Sequence, residues 1–253
     1  TTTGTLTKDG AGTLTLSGTN TYTGLTTVSA GSLVLAGGAA IADAGAVVLD
    51  TATADLTLNA SETIGSLAGI AGTTVQMGAN TLTTGGNGTS TTYAGVISGT
   101  GALTKEGAGT FTLSGANTYA GLTSINVGAL NVQHNTGLGS VTGGTTVASG
   151  AALQLQGGIT VGAEALTLNG TGVAADGALR NISGSNSFAG AITLGSAARI
   201  NSDASLLTLS GGITGAGQNL TVGGVGSTTE SGAIATTTGT LTKDGAGTLT
   251  LSG

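Results

Sequence analysis

TTTGTLTKDGAGTLTLSG fills residues 1–18 and returns letter for letter at residues 236–253. The copies start at Thr1 and Thr236, an offset of 235 residues, and chance does not match a stretch of that length even in a biased composition. Self-similarity at a fixed spacing marks a repeat architecture. Residues 1–235 therefore read as one full period of a longer array, and residues 236–253 as the start of the next. A variant copy, GALTKEGAGTFTLSG, begins at Gly101.

Inside the quoted stretch Leu14 and Leu16 alternate with threonine, and this period of two runs through the chain. Leu33 and Leu35, Leu56 and Leu58, Phe111 and Leu113, Leu153 and Leu155, Leu166 and Leu168 repeat it, as do Ile192 and Leu194, Leu207 and Leu209, and Leu220 and Val222. Alternation sends one set of side chains inward and leaves Thr, Ser and Asn outside. Each run ends in a glycine-containing turn signal. The Ala-rich piece 36–46 is the nearest approach to a helix, and its glycines weaken it.

The composition holds 50 Gly, no Pro, no Cys, no Trp and 6% charged residues. With 38% apolar residues the chain is too hydrophobic and too weakly charged for disorder. Without a three-residue glycine period or proline it is not collagen. Five aromatics cannot fill a broad interior, whereas Leu, Val, Ile and Ala can fill a narrow one. These features predict an all-β fold, a parallel β-helix or β-solenoid, over a β-sandwich or barrel. At roughly 20 to 25 residues per coil, one period should hold about ten coils. At roughly 4.8 Å per strand, that makes a rod of about 50 Å.

The best-defined block reads LTKDGAGTLTLSGTNTYTGLTTVSAGSLVLAG from Leu6, LTKEGAGTFTLSGANTYAGLTSINVGALNV from Leu103, and begins again at Leu241. The blocks span residues 4–37, 101–132 and 239–253. They resemble the autotransporter-associated β-strand repeat of passenger regions in bacterial surface-exported proteins. The resemblance implies a right-handed parallel β-helix, exported to the surface of a Gram-negative bacterium, with a role in adhesion, aggregation or matrix building. Within the block, Gly10, Gly12, Gly107, Gly109, Gly245 and Gly247 should supply positive φ or close backbone approach. Tyr22 and Tyr119 should lie over a coil edge with the hydroxyl near backbone. Lys8-Asp9, Lys105-Glu106 and Lys243-Asp244 should form solvated turns, or charges that limit lateral aggregation.

Chemistry finds little support. The net charge of −6 with five cationic side chains excludes nucleic acid as a partner. His134 is the only histidine and cysteine is absent, so zinc and transition-metal sites lack ligands. Asp43, Asp50, Asp55 and Glu62 form a modest acidic cluster whose spacing matches no calcium loop. The chain should therefore be no enzyme, with no catalytic, metal or cofactor residues and no membrane span in this segment. Its expected partners are neighbouring repeats or copies of itself, end to end, and surface glycans or cell-surface receptors. Two alternatives stay open: a β-helical polysaccharide-cleaving module, which needs acids or bases converging in a groove, and a threonine-rich face that orders water or ice. Against the last, the TLT pattern of Thr5, Thr13, Thr81, Thr240 and Thr248 is absent from most of the middle.

Overall fold

The computed structural model describes residues 3–253; Thr1 and Thr2, the first letters of the repeated stretch, lie outside them. Short alternating runs separated by glycine turns stack on the next run of their own kind. Thirty strands pair in parallel throughout and build a β-solenoid of twelve turns with three faces.

Face one has twelve rungs. It runs from Leu6–Lys8 and Thr26–Val28 through Ala46–Leu49, Ser66–Gly69, Thr91–Tyr93, Thr110–Leu113, Ala129–Val132, Ala152–Gln156 and Leu179–Ser183. It ends with the second half of Ile192–Ser202, Leu220–Gly224 and Leu241–Lys243. Face two begins at Glu62–Thr63 and runs through Leu82–Thr84, Leu103–Lys105, Thr123–Ile125, Thr145–Val147 and Leu166–Gly170. The first half of Ile192–Ser202, Ile213–Thr214 and Ile234–Ala235 complete it. Face three is two five-stranded sheets, one from Thr13–Leu16 to Val96–Ser98 and one from Thr160–Val161 to Leu249–Leu251.

Leu6 and Leu241 both lie on face one, eleven turns apart, so one 235-residue period holds eleven coils rather than ten. Most coils lie at the short end of the expected length, and 19 residues separate Phe111 from its rung partner Leu130. The longest, from Leu153 to Leu179, carries a short 3-10 turn at Val173–Ala175 on its corner. Face one slips as it climbs. The row of Lys8 passes through Val28, Leu49, Gly69 and Tyr93 to Gly224, while Lys243 faces Val222 two residues earlier. A slip of two keeps inward side chains inward, which a slip of one would not.

The alternating pairs named from sequence all face the core. Most are fully buried; Leu14 and Leu16, on the first coil, are partly so. Four of the five aromatics, Tyr93, Phe111, Tyr119 and Phe188, are fully buried as well. Residues 36–45 form turns and bends, with Ala40 and Ile41 buried, and Ala46 opens a strand.

The blocks occupy different faces. In the first copy Leu6–Lys8 is on face one and Thr13–Leu16 on face three; in the second, Leu103–Lys105 is on face two and Thr110–Leu113 on face one. The Asn-Thr-Tyr segment of each block therefore falls on face two near Asn20 and on face three near Asn117. This placement splits face three into two sheets and delays face two until Glu62.

Candidate functional site

The repeated block builds internal fastenings. Lys105 is 1% exposed, inside the coil, and its ammonium donates to the carbonyls of Glu106 (2.8 Å), Gly107 (2.7 Å) and Val127 (3.1 Å). Lys8 repeats this on Asp9, Gly10 and Ala30 at 3.0, 2.6 and 2.8 Å. The third acceptor comes from the next coil in both cases, so the ammonium ties one turn to another. Lys243 holds only the first two, Asp244 and Gly245, and is exposed. The expectation of solvated Lys-Asp turns is thus corrected for Lys8 and Lys105. The carbonyls turned inward at the glycine corner offer a buried ammonium the acceptors it needs. Burial pulls the Lys105 ammonium down to about 8, opposed by the nearby Glu106 carboxylate.

The two glycines of that corner act differently. Gly107 has φ +70°, the left-handed region, while a Cβ on Gly109 would sit 2.5 Å from the Gly88 carbonyl oxygen of the coil below. Both roles foreseen for the corner glycines are therefore present.

Asn117 replaces a missing rung. Its Oδ1 accepts from the Ile97 N–H (2.9 Å) and its Nδ2 donates to the Gly137 carbonyl (2.7 Å), so a side-chain amide does the work of a peptide between three coils. Asn20 donates likewise to the Ala40 carbonyl at 2.9 Å. The tyrosine expectation is corrected too. Tyr119 is wholly buried with its hydroxyl 2.8 Å from Thr123 Oγ1, and half-buried Tyr22 meets Thr26 Oγ1 at 2.9 Å. The partner is a side-chain hydroxyl, because an inward tyrosine meets the inward face of the next strand.

The sequence missed three buried glutamates. Glu62, Glu164 and Glu230 are each 2% exposed, and desolvation raises the pKa of all three. Glu62 accepts from the Ile41 N–H (2.7 Å), Glu164 from Thr145 Oγ1 (2.9 Å), and Glu230 from the Gly232 N–H (2.7 Å). They stand on separate coils. The acidic cluster read from spacing does not form: Glu62 points inward, Asp50 accepts from Ser29, Asp55 from Thr74, and Asp43 is exposed. Among the described residues no group of acids or histidine could hold a metal ion. His134 Nδ1 accepts from the Thr136 N–H at 3.2 Å and closes a turn.

The charges that do converge come from positions far apart in sequence. On the outside of face one Arg180 bridges Asp176 (3.1 Å) and Asp203 (2.7 Å), and Arg199 clasps Asp244 through both terminal nitrogens (2.7 and 2.9 Å). Asn201 links the pairs, donating to Asp203 and accepting from Arg199. Arg199 holds the Asp244 carboxyl below its ordinary value. Here each of the three carboxylates faces a guanidinium, and the network closes on itself along a strand face.

Face two carries an unbroken outward hydroxyl row over eight rungs: Thr63, Thr83, Thr104, Ser124, Thr146, Thr167, Thr193 and Thr214. The linear TLT pattern hid it, because the rung residues are reached by coils of unequal length.

Residues 6–35, 103–132 and 241–253 match the family model described as passenger-associated-transport-repeat, at the positions of the three blocks. The matched segments cover well under half of the chain. No curated protein and no solved structure matches it.

Proposed function

We propose that this chain is a structural segment of the passenger of an autotransporter-type protein, displayed on the surface of a Gram-negative cell, where it acts in adhesion, aggregation or matrix building. The carrying observation is the use of the matched blocks. Lys8, Lys105, Asn20, Asn117, Tyr22 and Tyr119 all go into fastening one turn or strand to another. A rod held in this way spans distance and presents a long side for contact, and it performs no reaction. Antibodies raised against the chain should label intact cells. Removing the coding segment should lower cell-to-cell aggregation or attachment. Labelling only after cell rupture, or attachment unchanged on removal, would reject the reading.

The hydroxyl row of face two favours a second reading, a face that orders water. Threonine supplies a methyl and a hydroxyl at each rung, spaced by roughly 4.8 Å. Thermal hysteresis in a solution of the purified chain, abolished by Thr104→Asp with Thr146→Asp, is the expected sign; its absence removes this reading.

A further inference from the structure

The longest planar polar side chains of this protein gather on one strip. Both of its arginines, Arg180 and Arg199, and three of its five glutamines, Gln133, Gln154 and Gln156, stand on the outside of face one. Asn131, Gln154, Arg180 and Asn201 follow one another on a single outward row, coil upon coil. That row covers three rung spacings, about 14 Å at roughly 4.8 Å each. Neighbours hold its members in place. Asn131 Nδ2 donates to Gln154 Oε1 (3.2 Å), and Gln133 Nε2 donates to Asn131 Oδ1 (3.0 Å) and to Gln156 Oε1 (3.2 Å). Arg180 and Asn201 are both tied to Asp203.

What these bonds leave over selects the ligand. Gln154 and Gln156 accept through Oε1 and keep Nε2 free, whereas Gln133 spends Nε2 and keeps Oε1 free. Gln133 is exposed and the other two are half-buried, so all three reach solvent. Free donors and a free acceptor thus lie side by side. A hydroxyl both donates and accepts, and a run of sugar hydroxyls matches such a mixed row. Charge turns other ligands away. Asp176 and Asp203 engage Arg180 and Asp244 engages Arg199, so neither guanidinium is left for a phosphate, a sulfate or an acidic sugar. Protein interfaces centre on aromatic and apolar anchors, and this strip supplies none.

We propose that the strip binds a neutral polysaccharide, laid along the rod with its rings over successive coils. The amides are already ordered by one another, so binding freezes little side-chain freedom. With no aromatic ring on which a sugar could stack, one strip holds its ligand weakly. Strength then comes from a long ligand that meets the strip again in further periods of the array. Such a strip gives the adhesion reading above, on which its purpose rests, a ligand class and a place.

Binding can be measured on the purified chain, without cells. Native gels cast with hydroxyethyl cellulose or with galactomannan, both neutral, should retard it in at least one case; gels cast with polygalacturonate or heparin should not. Gln156→Glu keeps the side-chain shape and the acceptor for Gln133, and turns the free donor into a second acceptor. Its dissociation constant, read from the retardation, should be about tenfold larger. Gln154→Ala with Gln156→Ala should abolish retardation while circular dichroism stays that of the parent, and Thr146→Ala on face two should retain it. Retardation in neither neutral gel, retardation in the acidic gels alone, or undiminished retardation of the Gln156→Glu chain would overturn the strip as a polysaccharide site. So would a Gln156→Glu chain that is retarded normally but no longer attaches to cells, which would assign the strip to a protein. None of these results touches display on the cell, which antibody labelling decides separately.

Discussion

A lysine ammonium can lie inside this rod without a carboxylate because three carbonyl oxygens converge on it, and its worth depends on the third. Lys105 has all three, the last from Val127 of the next coil, whereas Lys243 has two and stands exposed. Lys105→Met keeps the stem and deletes the donors, leaving buried carbonyls unpaired, at a cost of about 1 to 3 kcal/mol. Lys243→Met should change stability by roughly 0.5 kcal/mol or less, as an exposed substitution does. Paired denaturant titrations compare the two, and equal losses would contradict the role given to the third carbonyl. Asn117 is the more demanding position. Its alanine variant strands both the Ile97 N–H and the Gly137 carbonyl, for about 2 to 5 kcal/mol. Hydrogen exchange should become faster at Ile97 before it does at Val147, which is held by an ordinary ladder. None of these roles was visible in the letters Lys-Asp and Asn-Thr-Tyr. Periodicity says which way a strand residue points, but at a corner direction depends on how the turn is wound.

Along the faces, the period-two pattern placed nine of the described strands and their inward rows, because each apolar pair has only one side on which to be buried; strands such as Thr91–Tyr93 and Ser227–Glu230 carry too few apolar residues to show it. What it could not locate was register between coils, since lengths differ from turn to turn. Register is what assembles the face-two hydroxyl row, the Asp176–Arg180–Asp203 pairing and the Arg199–Asp244 clasp. The same limit hid the buried glutamates, which occupy inward positions normally filled by Leu or Val. Their effect on stability has a definite sign. Burial raises the folded pKa of Glu62, Glu164 and Glu230 above 4.5, so as pH rises past that value the unfolded chain releases protons that the folded chain keeps. Stability from these groups is full below the unfolded pKa and is lost as pH climbs through the folded one. The melting temperature should therefore fall between pH 4.5 and neutrality. Glu62→Gln, which keeps an acceptor for the Ile41 N–H, should flatten part of that fall; an unchanged slope would show that Glu62 titrates normally.

For the whole molecule, the decisive relation is between the sequence period and the turn. Leu6 and Leu241 lie on the same face eleven coils apart, while the middle block at Leu103 enters on face two. A spacing of 97 residues, Leu6 to Leu103, would rotate every face by one step if it were the repeating unit; the spacing of 235 residues does not. Tandem periods can thus stack with face one on face one and the hydroxyl row on the same side of the rod. The coil that starts the second period is already seated on coil eleven by strand pairing and by the Arg199 clasp, with no linker between them. A chain carrying two periods, residues 1–235 followed by residues 1–253, should therefore be a single straight rod. Its length in solution scattering should exceed that of the single chain by about 53 Å, eleven rungs at roughly 4.8 Å each. It should also unfold without a separate transition at the junction, because the contacts there are of the same kind as those on either side. A bend, a length gain far from that figure, or scattering from two bodies hinged at residue 235 would show that the period and the turn are not commensurate in the longer molecule.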